Sequence, residues 1–261
     1  MATPRDASAR AEAWRSLLEH VARRAGDRPL RARVLARETG RAGANSRGHA
    51  EELFALVARH PLLTRPQLAT LLGTSVARVA RLLTELVERG WVRPIQLEEQ
   101  TQATVGPRHT EIQRLGLVEL TPAGRREAAR RLLVTAGLAR RRHGLVHGDG
   151  ARRRFLRHLQ HTLGANAFFV ELADAAAEVT VRGGDEALVE WRSAAACARG
   201  RFRPDGYGCY RRGPWRFGFF LEYDRGTERS SQYATKLATC YRYRDTGVYQ
   251  RDYQTFPTVL W

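Results

Sequence analysis

The chain has 261 residues, 43% of them hydrophobic, which is enough apolar material for two modest domain cores. Its apolar runs are short and interrupted by arginine, which excludes a span of the roughly 20 apolar residues that a membrane helix needs, and residues 1–15 lack the apolar stretch and small-residue cleavage site expected of a secretory signal. The net charge of +17 favours a polyanionic partner, so we expect a soluble, cytoplasmic protein that binds nucleic acid and no membrane.

The first 48 residues are predicted to form an N-terminal helix and a basic arm. Apolar side chains recur at helical spacing between residues 11 and 25, including Trp14 and Val21, which indicates an amphipathic helix. Residues 37–48 are rich in Gly, Ala and Arg and have no apolar period, as is typical of a loose arm.

Three helices are predicted in the next segment. The first, over residues 51–59, ends before Pro61, because the residue preceding a proline is pushed out of helical geometry. Thr64 is predicted to cap the second helix, and Gly73 and Thr74 to form a turn before the third helix over residues 76–89, which Gly90 ends. This order predicts a helix-turn-helix. The third helix is predicted to bury an apolar stripe of Val76, Val79, Leu82, Leu83, Leu86 and Val87.

A wing is predicted after the third helix. Residues 91–96 and 115–120 are predicted to be paired strands, and the run LVELTPAGR over residues 117–125 resembles the strand-to-helix junction of many winged-helix proteins. We therefore predict a winged-helix domain over residues 49–136, with a long wing over residues 96–114.

The outward face of the third helix is the predicted site of base contact, because this helix enters the major groove in winged-helix proteins. Residues 51–100 carry no net charge, so a solvated face and a protein-pairing role for the module are alternatives. The wing tip is predicted to contact the DNA backbone or minor groove. The predicted contacts are Thr74, Ser75, Arg78, Arg81 and Thr84 on the helix and Arg108 on the wing.

A basic hinge is predicted over residues 137–160. Residues 101–160 contain 13 arginines against four acidic residues, a density that suits phosphate contact better than base reading. A solvated helix face is the alternative. The predicted phosphate contacts are Arg140, Arg141, Arg142, Arg152, Arg153 and Arg154.

Neither the histidines nor the cysteines predict a metal site. The pair His143 and His147 is interrupted by glycines, and no nearby cysteine or glutamate completes a set with it or with His158 and His161. The chain has no His-x-His strand, which disfavours a tyrosine relaxase. The three cysteines lack metal-ligand spacing, so we expect buried free thiols.

An α/β domain is predicted over residues 161–261. Its nearly continuous apolar run over residues 217–223 is typical of a strand buried on both faces, so Glu222 and Asp224 at its end should point to one face. The other predicted elements are a helix over 161–177, a strand near 190–192, a hairpin over 210–214, a helix with Tyr233, Leu237 and Tyr241 in its core stripe, and a strand over 256–260.

Five pieces of this domain, in order, resemble the bacterial replication-relaxation family associated with plasmids and integrated conjugative elements: HTLGANAFFVEL, RPDG, FFLEYDRGTE, KLATCYRY and FPTVL. The resemblance implies a part in plasmid replication, relaxation or mobilisation. Family members usually continue beyond the FPTVL strand, so we expect a C-terminally short domain.

Carboxylates suggest the chemistry of this domain. Asp205 and Glu222-Tyr223-Asp224 resemble the PD-(D/E)xK nuclease constellation, whose core is restriction-endonuclease-like. Clustered carboxylates repel one another unless a cation lies between them, so Asp205, Glu222 and Asp224 are predicted to bind catalytic Mg²⁺. Asp224 occupies the usual lysine position, and Lys236, the only lysine, is the predicted replacement. A structural network in which Arg203, Arg225 or Lys236 pairs with these carboxylates is the alternative.

The sequence thus predicts an α+β protein with a winged-helix domain and a restriction-endonuclease-like α/β domain. Its expected partner is double-stranded DNA, and other replication or conjugation proteins and a second copy of the chain are further candidates. Two functions stay open: a Mg²⁺-dependent nickase or endonuclease of a mobile element, and a non-catalytic accessory factor or transcriptional regulator with a degenerate nuclease-like domain. RNA binding through stacking tyrosines is a third, although packing is the expected role of Tyr241, Tyr243, Tyr249 and Tyr253.

Overall fold

The computed structural model describes residues 46–95, 115–131, 158–224 and 230–261. Within them lie seven α-helices and two sheets, which confirms an α+β protein. No helix in these ranges is long and apolar enough to cross a membrane. The predicted N-terminal helix, the wing and most of the basic hinge lie outside the described residues, and so do the predicted contacts Arg108, Arg140, Arg141, Arg142, Arg152, Arg153 and Arg154.

The N-terminal part begins with three helices: α1 (Ser46–Arg59), α2 (Arg65–Leu72) and α3 (Val76–Glu88). Thr64 caps α2 as predicted, because its hydroxyl accepts a hydrogen bond from the Gln67 amide at 3.3 Å. The Gln67 side chain in turn accepts the Thr64 amide at 2.9 Å, which completes a capping box. Gly73 ends α2 with a left-handed φ of 60°, a conformation that glycine adopts without steric cost.

A two-stranded sheet follows α3. Strand β1 (Val92–Pro94) pairs antiparallel with β2 (Val118–Leu120), and α4 (Pro122–Arg131) begins directly after β2. The α3 stripe is buried at Val79, Leu82, Leu83 and Leu86, as predicted. The prediction was wrong at Val76 and Val87, which are 45% and 38% exposed, because at about 100° per residue both lie on one edge of the helix, outside the arc of the buried residues.

A mixed four-stranded sheet forms the centre of the C-terminal part. Its order is β3-β4-β5-β6, in which the first three strands are antiparallel and β6 is parallel to β5. A parallel neighbour requires a crossover, and a helix supplies it. The elements in chain order are α5 (Leu159–Val181), β3 (Glu186–Ser193), α6 (Ala194–Cys197), β4 (Gly206–Arg212), β5 (Trp215–Leu221), α7 (Ser230–Asp245), a 3-10 helix (Val248–Arg251) and β6 (Thr258–Leu260).

The C-terminal half of β5 is buried on both faces, as predicted, whereas Trp215 and Arg216 at its start are exposed. Phe219 and Leu221 belong to the core that includes α5, whereas Phe220 points into a second core that includes Cys240 and Tyr243 of α7. The sheet therefore lies between α5 and α7. The predicted core stripe of α7 was wrong at Tyr241, which is 51% exposed, because it lies about 100° around the helix from the buried Cys240.

A column of aromatic rings joins the N-terminal part to the sheet. The His60 ring stacks on Trp191 with 3.8 Å between centroids, Trp191 stacks on Phe169 at 4.9 Å, and Phe169 stacks on Phe219 at 5.8 Å. Beside this ring column, the Asn166 amide donates to the Pro61 carbonyl at 2.9 Å. One hydrophobic core thus extends from α1 to β5.

The ring column predicts a pH-dependent stability. Burial, with a smaller contribution from Arg59, lowers the pKa of His60 from 6.5 to about 3. Between these values the unfolded chain binds a proton that the folded chain excludes, so the free energy of unfolding should fall as the pH falls, by at most about 1.4 kcal/mol per pH unit.

Urea unfolding of the wild type and of His60→Phe, from about pH 7.5 to about pH 4.5, measures this slope. Phenylalanine retains a ring but does not titrate, so the variant should lose part of the slope. Equal slopes in the two proteins would contradict a buried neutral imidazole.

Candidate functional site

The side chains of the polar residues that follow β5 continue to point alternately to the two faces of the sheet. Glu222 and Asp224 both contact α7: Glu222 Oε2 lies 3.0 Å from the Lys236 ammonium, and Asp224 accepts a hydrogen bond from the Tyr233 hydroxyl. Tyr223, between them, approaches α5 instead. The prediction that Glu222 and Asp224 share a face is therefore confirmed.

Lys236 and Glu222 form an ion pair at the base of the site. The Glu222 side chain is 9% exposed and the Lys236 side chain 32%, so the carboxylate is removed from water while the ammonium still reaches it. The opposite charge offsets the cost of burying the carboxylate. The predicted proximity of Lys236 to the acidic cluster is correct for Glu222, which matches the predicted structural network.

Asp205 contacts the other side of the strand end. It stands immediately before β4, and its Oδ2 accepts the Tyr223 amide at 2.9 Å. Its Oδ1 lies 2.8 Å from Nε2 of His161, in the first turn of α5. A carboxylate held on one ring nitrogen fixes the orientation of an imidazole, and such carboxylate–imidazole pairs serve in proton transfer.

The Tyr223 ring completes this side of the site. It meets His161 edge-on with 5.7 Å between centroids. It also packs on Gly164, where a Cβ would lie 2.3 Å from two of its ring carbons, so only glycine admits the ring at this distance. Sequence reasoning considered His161 only as a metal ligand. The available signal was the spacing of His161 and Gly164, which lie three residues apart and so share one helix face.

The three carboxylates do not form the predicted Mg²⁺ site. Asp205 faces α5, whereas Glu222 and Asp224 face α7, and each has a protein partner. Among the residues that the structure describes, no group of three or more His, Cys, Asp or Glu side chains is arranged to hold a metal ion. As placed, these side chains do not fit the ion, and the pair His158 and His161 does not belong to such a group either.

The predicted base-reading face of α3 contains residues with different surroundings. The Ser75 hydroxyl caps α3 by accepting the Arg78 amide at 3.2 Å, and the Thr84 hydroxyl donates to a carbonyl within the helix. Arg78 and Thr74 are both half-buried, and a guanidinium nitrogen of Arg78 lies 3.4 Å from Nδ1 of His49. Arg81 is exposed.

The cysteines are structural. Cys197, Cys209 and Cys240 are free and buried, as predicted. Burial raises the pKa of Cys197 to about 12, so this thiol stays protonated and unreactive at neutral pH.

The structure defines the chain as an α+β protein in which a helical N-terminal part packs on a mixed sheet with a polar cluster at one end. The model of the replication-relaxation family matches residues 54–259, from α1 to β6, so the chain belongs to this family. Membership indicates a role in plasmid replication or relaxation. No curated protein and no solved structure matches the chain.

The ion pair predicts a double-mutant effect on stability. Lys236→Met should lower the free energy of unfolding by about 1–3 kcal/mol, less than for a fully buried pair because the ammonium is partly solvated. Adding Glu222→Gln should recover part of this loss, because the buried charge is then removed as well.

Urea unfolding measures the two single variants and the double variant. The control is Arg182→Met, which removes the exposed pair of Arg182 and Glu178, 3.8 Å apart, and should cost less than about 0.5 kcal/mol. A double variant no more stable than Lys236→Met would contradict the ion pair.

Proposed function

We propose that the protein binds duplex DNA through its N-terminal part, acting as a winged helix, and nicks one strand at the polar site beyond β5. The reaction serves replication, relaxation or mobilisation of a plasmid or integrative element. The observation that carries this proposal is that two side-chain pairs, Lys236 with Glu222 and His161 with Asp205, lie on either side of the end of one buried strand. All four residues lie within the range that the family model matches.

The charge and element order support DNA binding. The chain carries a net charge of +17, which favours a partner rich in phosphates. The order α1, α2, α3, β1, β2, α4 is the one predicted for a winged helix, whose third helix enters the major groove. In this pose the exposed Arg81 reaches the DNA.

The chemistry of the site supports phosphodiester cleavage. Cleavage requires a group that moves a proton and a positive charge near the oxygens on which negative charge develops. Water attacks phosphorus and the bond to one sugar oxygen breaks. The His161 imidazole, oriented by Asp205, takes the proton of the water, the Lys236 ammonium stabilises the developing negative charge, and the leaving oxygen takes a proton from solvent. Apart from the short α6, the order of one helix, three antiparallel strands, a second helix and a parallel strand is also that expected of a restriction-endonuclease-like core.

A second candidate is a non-catalytic accessory factor or transcriptional regulator. The observation that favours it is that Asp205, Glu222 and Asp224 each have a protein partner, as in a structural network. This protein would bind DNA equally well and cut none.

DNA binding is tested at Arg81. Arg81→Ala should weaken binding to a supercoiled plasmid or a long duplex about tenfold, since one arginine contact to a base or phosphate is lost. Fluorescence anisotropy over a series of salt concentrations measures the affinity and its salt slope. Arg182→Ala, which removes an exposed arginine just after α5, is the matched control and should leave the affinity unchanged. Equal affinities of the Arg81 variant and the wild type would exclude α3 as the contact.

Cleavage is tested by conversion of supercoiled plasmid to nicked circles. His161→Gln and Lys236→Met should each lower the nicking rate at least about 100-fold, whereas Arg182→Ala should not. One reaction arm contains Mg²⁺ and the other EDTA; nicking only with Mg²⁺ would require the three carboxylates to regroup around the ion. A wild type that binds plasmid but nicks it in neither arm would support the second candidate.

A further inference from the structure

Two pairs of an aromatic ring and a cation lie on or beside helix α7. The first combines Trp261, which is 45% exposed, with the Lys236 ammonium 5.7 Å from its ring centroid. The second combines Tyr241, which is 51% exposed, with the Arg244 guanidinium 4.8 Å from its ring centroid. Tyr233 packs on Trp261 with 5.4 Å between centroids and extends the first pair. We call these five residues the α7 aromatic surface.

These rings differ from the other tyrosines of the C-terminal part. Tyr243 and Tyr253 are buried in the second core, where Tyr243 stacks on Phe202 and Tyr253 contacts Phe220. Packing therefore accounts for Tyr243 and Tyr253. Tyr241 and Trp261 instead keep about half of their surface in water.

The two pairs lie on one side of α7. Lys236 and Arg244 are eight residues apart, which is about 12 Å along the helix axis at 1.5 Å per residue. At about 100° per residue, Tyr233, Tyr241 and Arg244 fall within an arc of about 80° on one edge of the helix, beside the buried Cys240, and Lys236 reaches Trp261 from the other side of Cys240. A single extended chain can therefore contact both pairs.

The α7 aromatic surface begins at the polar site. The Lys236 ammonium that lies near Trp261 also pairs with Glu222, and the Tyr233 hydroxyl donates to Asp224. A molecule lying on Trp261 is thus next to the groups to which we assign cleavage.

We propose that the α7 aromatic surface binds unpaired bases of single-stranded DNA, so that the strand to be cut is unpaired beside the site. This proposal rests on the proposed function. Exposed aromatic rings stack on bases of any sequence, and neighbouring cations bind the backbone phosphates. The bases of an intact duplex stack on one another and have no free face for Trp261 or Tyr241, so the surface selects unpaired DNA.

The test compares binding of a single-stranded DNA oligonucleotide and of a blunt duplex of the same sequence. Fluorescence anisotropy gives the affinities, and a 2-aminopurine base in the oligonucleotide reports stacking through quenching. Trp261→Ala and Tyr241→Ala should each weaken single-strand binding on the order of tenfold more than duplex binding and reduce the quenching. Trp261→Phe, which retains a ring, should recover most of both.

The matched control is Trp215→Ala. Trp215 is also an exposed tryptophan, 36% accessible, but it starts β5 and so lies about 20 Å from the site, at roughly 3.3 Å per strand residue. This variant should bind single strands like the wild type.

The outcomes separate the two proposals. If the wild type binds neither oligonucleotide nor duplex, the proposed function fails. If it binds duplex while Trp261→Ala and Tyr241→Ala leave single-strand affinity unchanged, only the α7 aromatic surface is overturned. An equal loss in Trp215→Ala, or tighter binding of an RNA oligonucleotide of the same sequence, would also overturn it.

Discussion

The burial of the C-terminal half of β5 on both faces is the constraint on which the rest of the C-terminal part depends. Phe219 and Leu221 need a helix on one side and Phe220 needs a helix on the other, so the sheet can exist only between α5 and α7. The same alternation continues past the strand end, where the side chains become polar. It directs Glu222 and Asp224 towards α7 and Tyr223 towards α5, and thereby decides which helix supplies the partner of each.

Local pattern was sufficient to predict most of the elements. Thr64 starts α2 through its side-chain hydrogen bond and Gly73 ends it through its left-handed backbone, and both depend only on residues nearby in the sequence. The strand β5 was recognisable because its apolar run is nearly continuous. The errors lie where packing decides. Val76, Val87 and Tyr241 are exposed because no neighbouring element in the described ranges extends far enough to cover them. The helical spacing of apolar residues within one segment does not show how far its neighbours extend. The pairing of His161 with Asp205 joins residues 44 positions apart, and only the tertiary fold creates it.

The carboxylates show a similar limit. Their residue types and order predicted a metal site, since three neighbouring negative charges need compensation. The fold compensates them separately, with an ammonium for Glu222, a phenol for Asp224, and a backbone amide and an imidazole for Asp205. Sequence spacing gives the direction of side chains along one strand, but not the separation between a carboxylate that precedes β4 and two that follow β5.

The ring column has a mechanical consequence for the molecule. The peptide connection between α4 and α5 runs through residues 132–157, yet His60, Trp191 and the bond from Asn166 to Pro61 join the two halves directly. The separation of α3 from the strand end is therefore set by stacked rings and not by the length of that connection. The two halves therefore form one rigid unit, and residues inserted into this connection would leave the distance between α3 and the end of β5 unchanged.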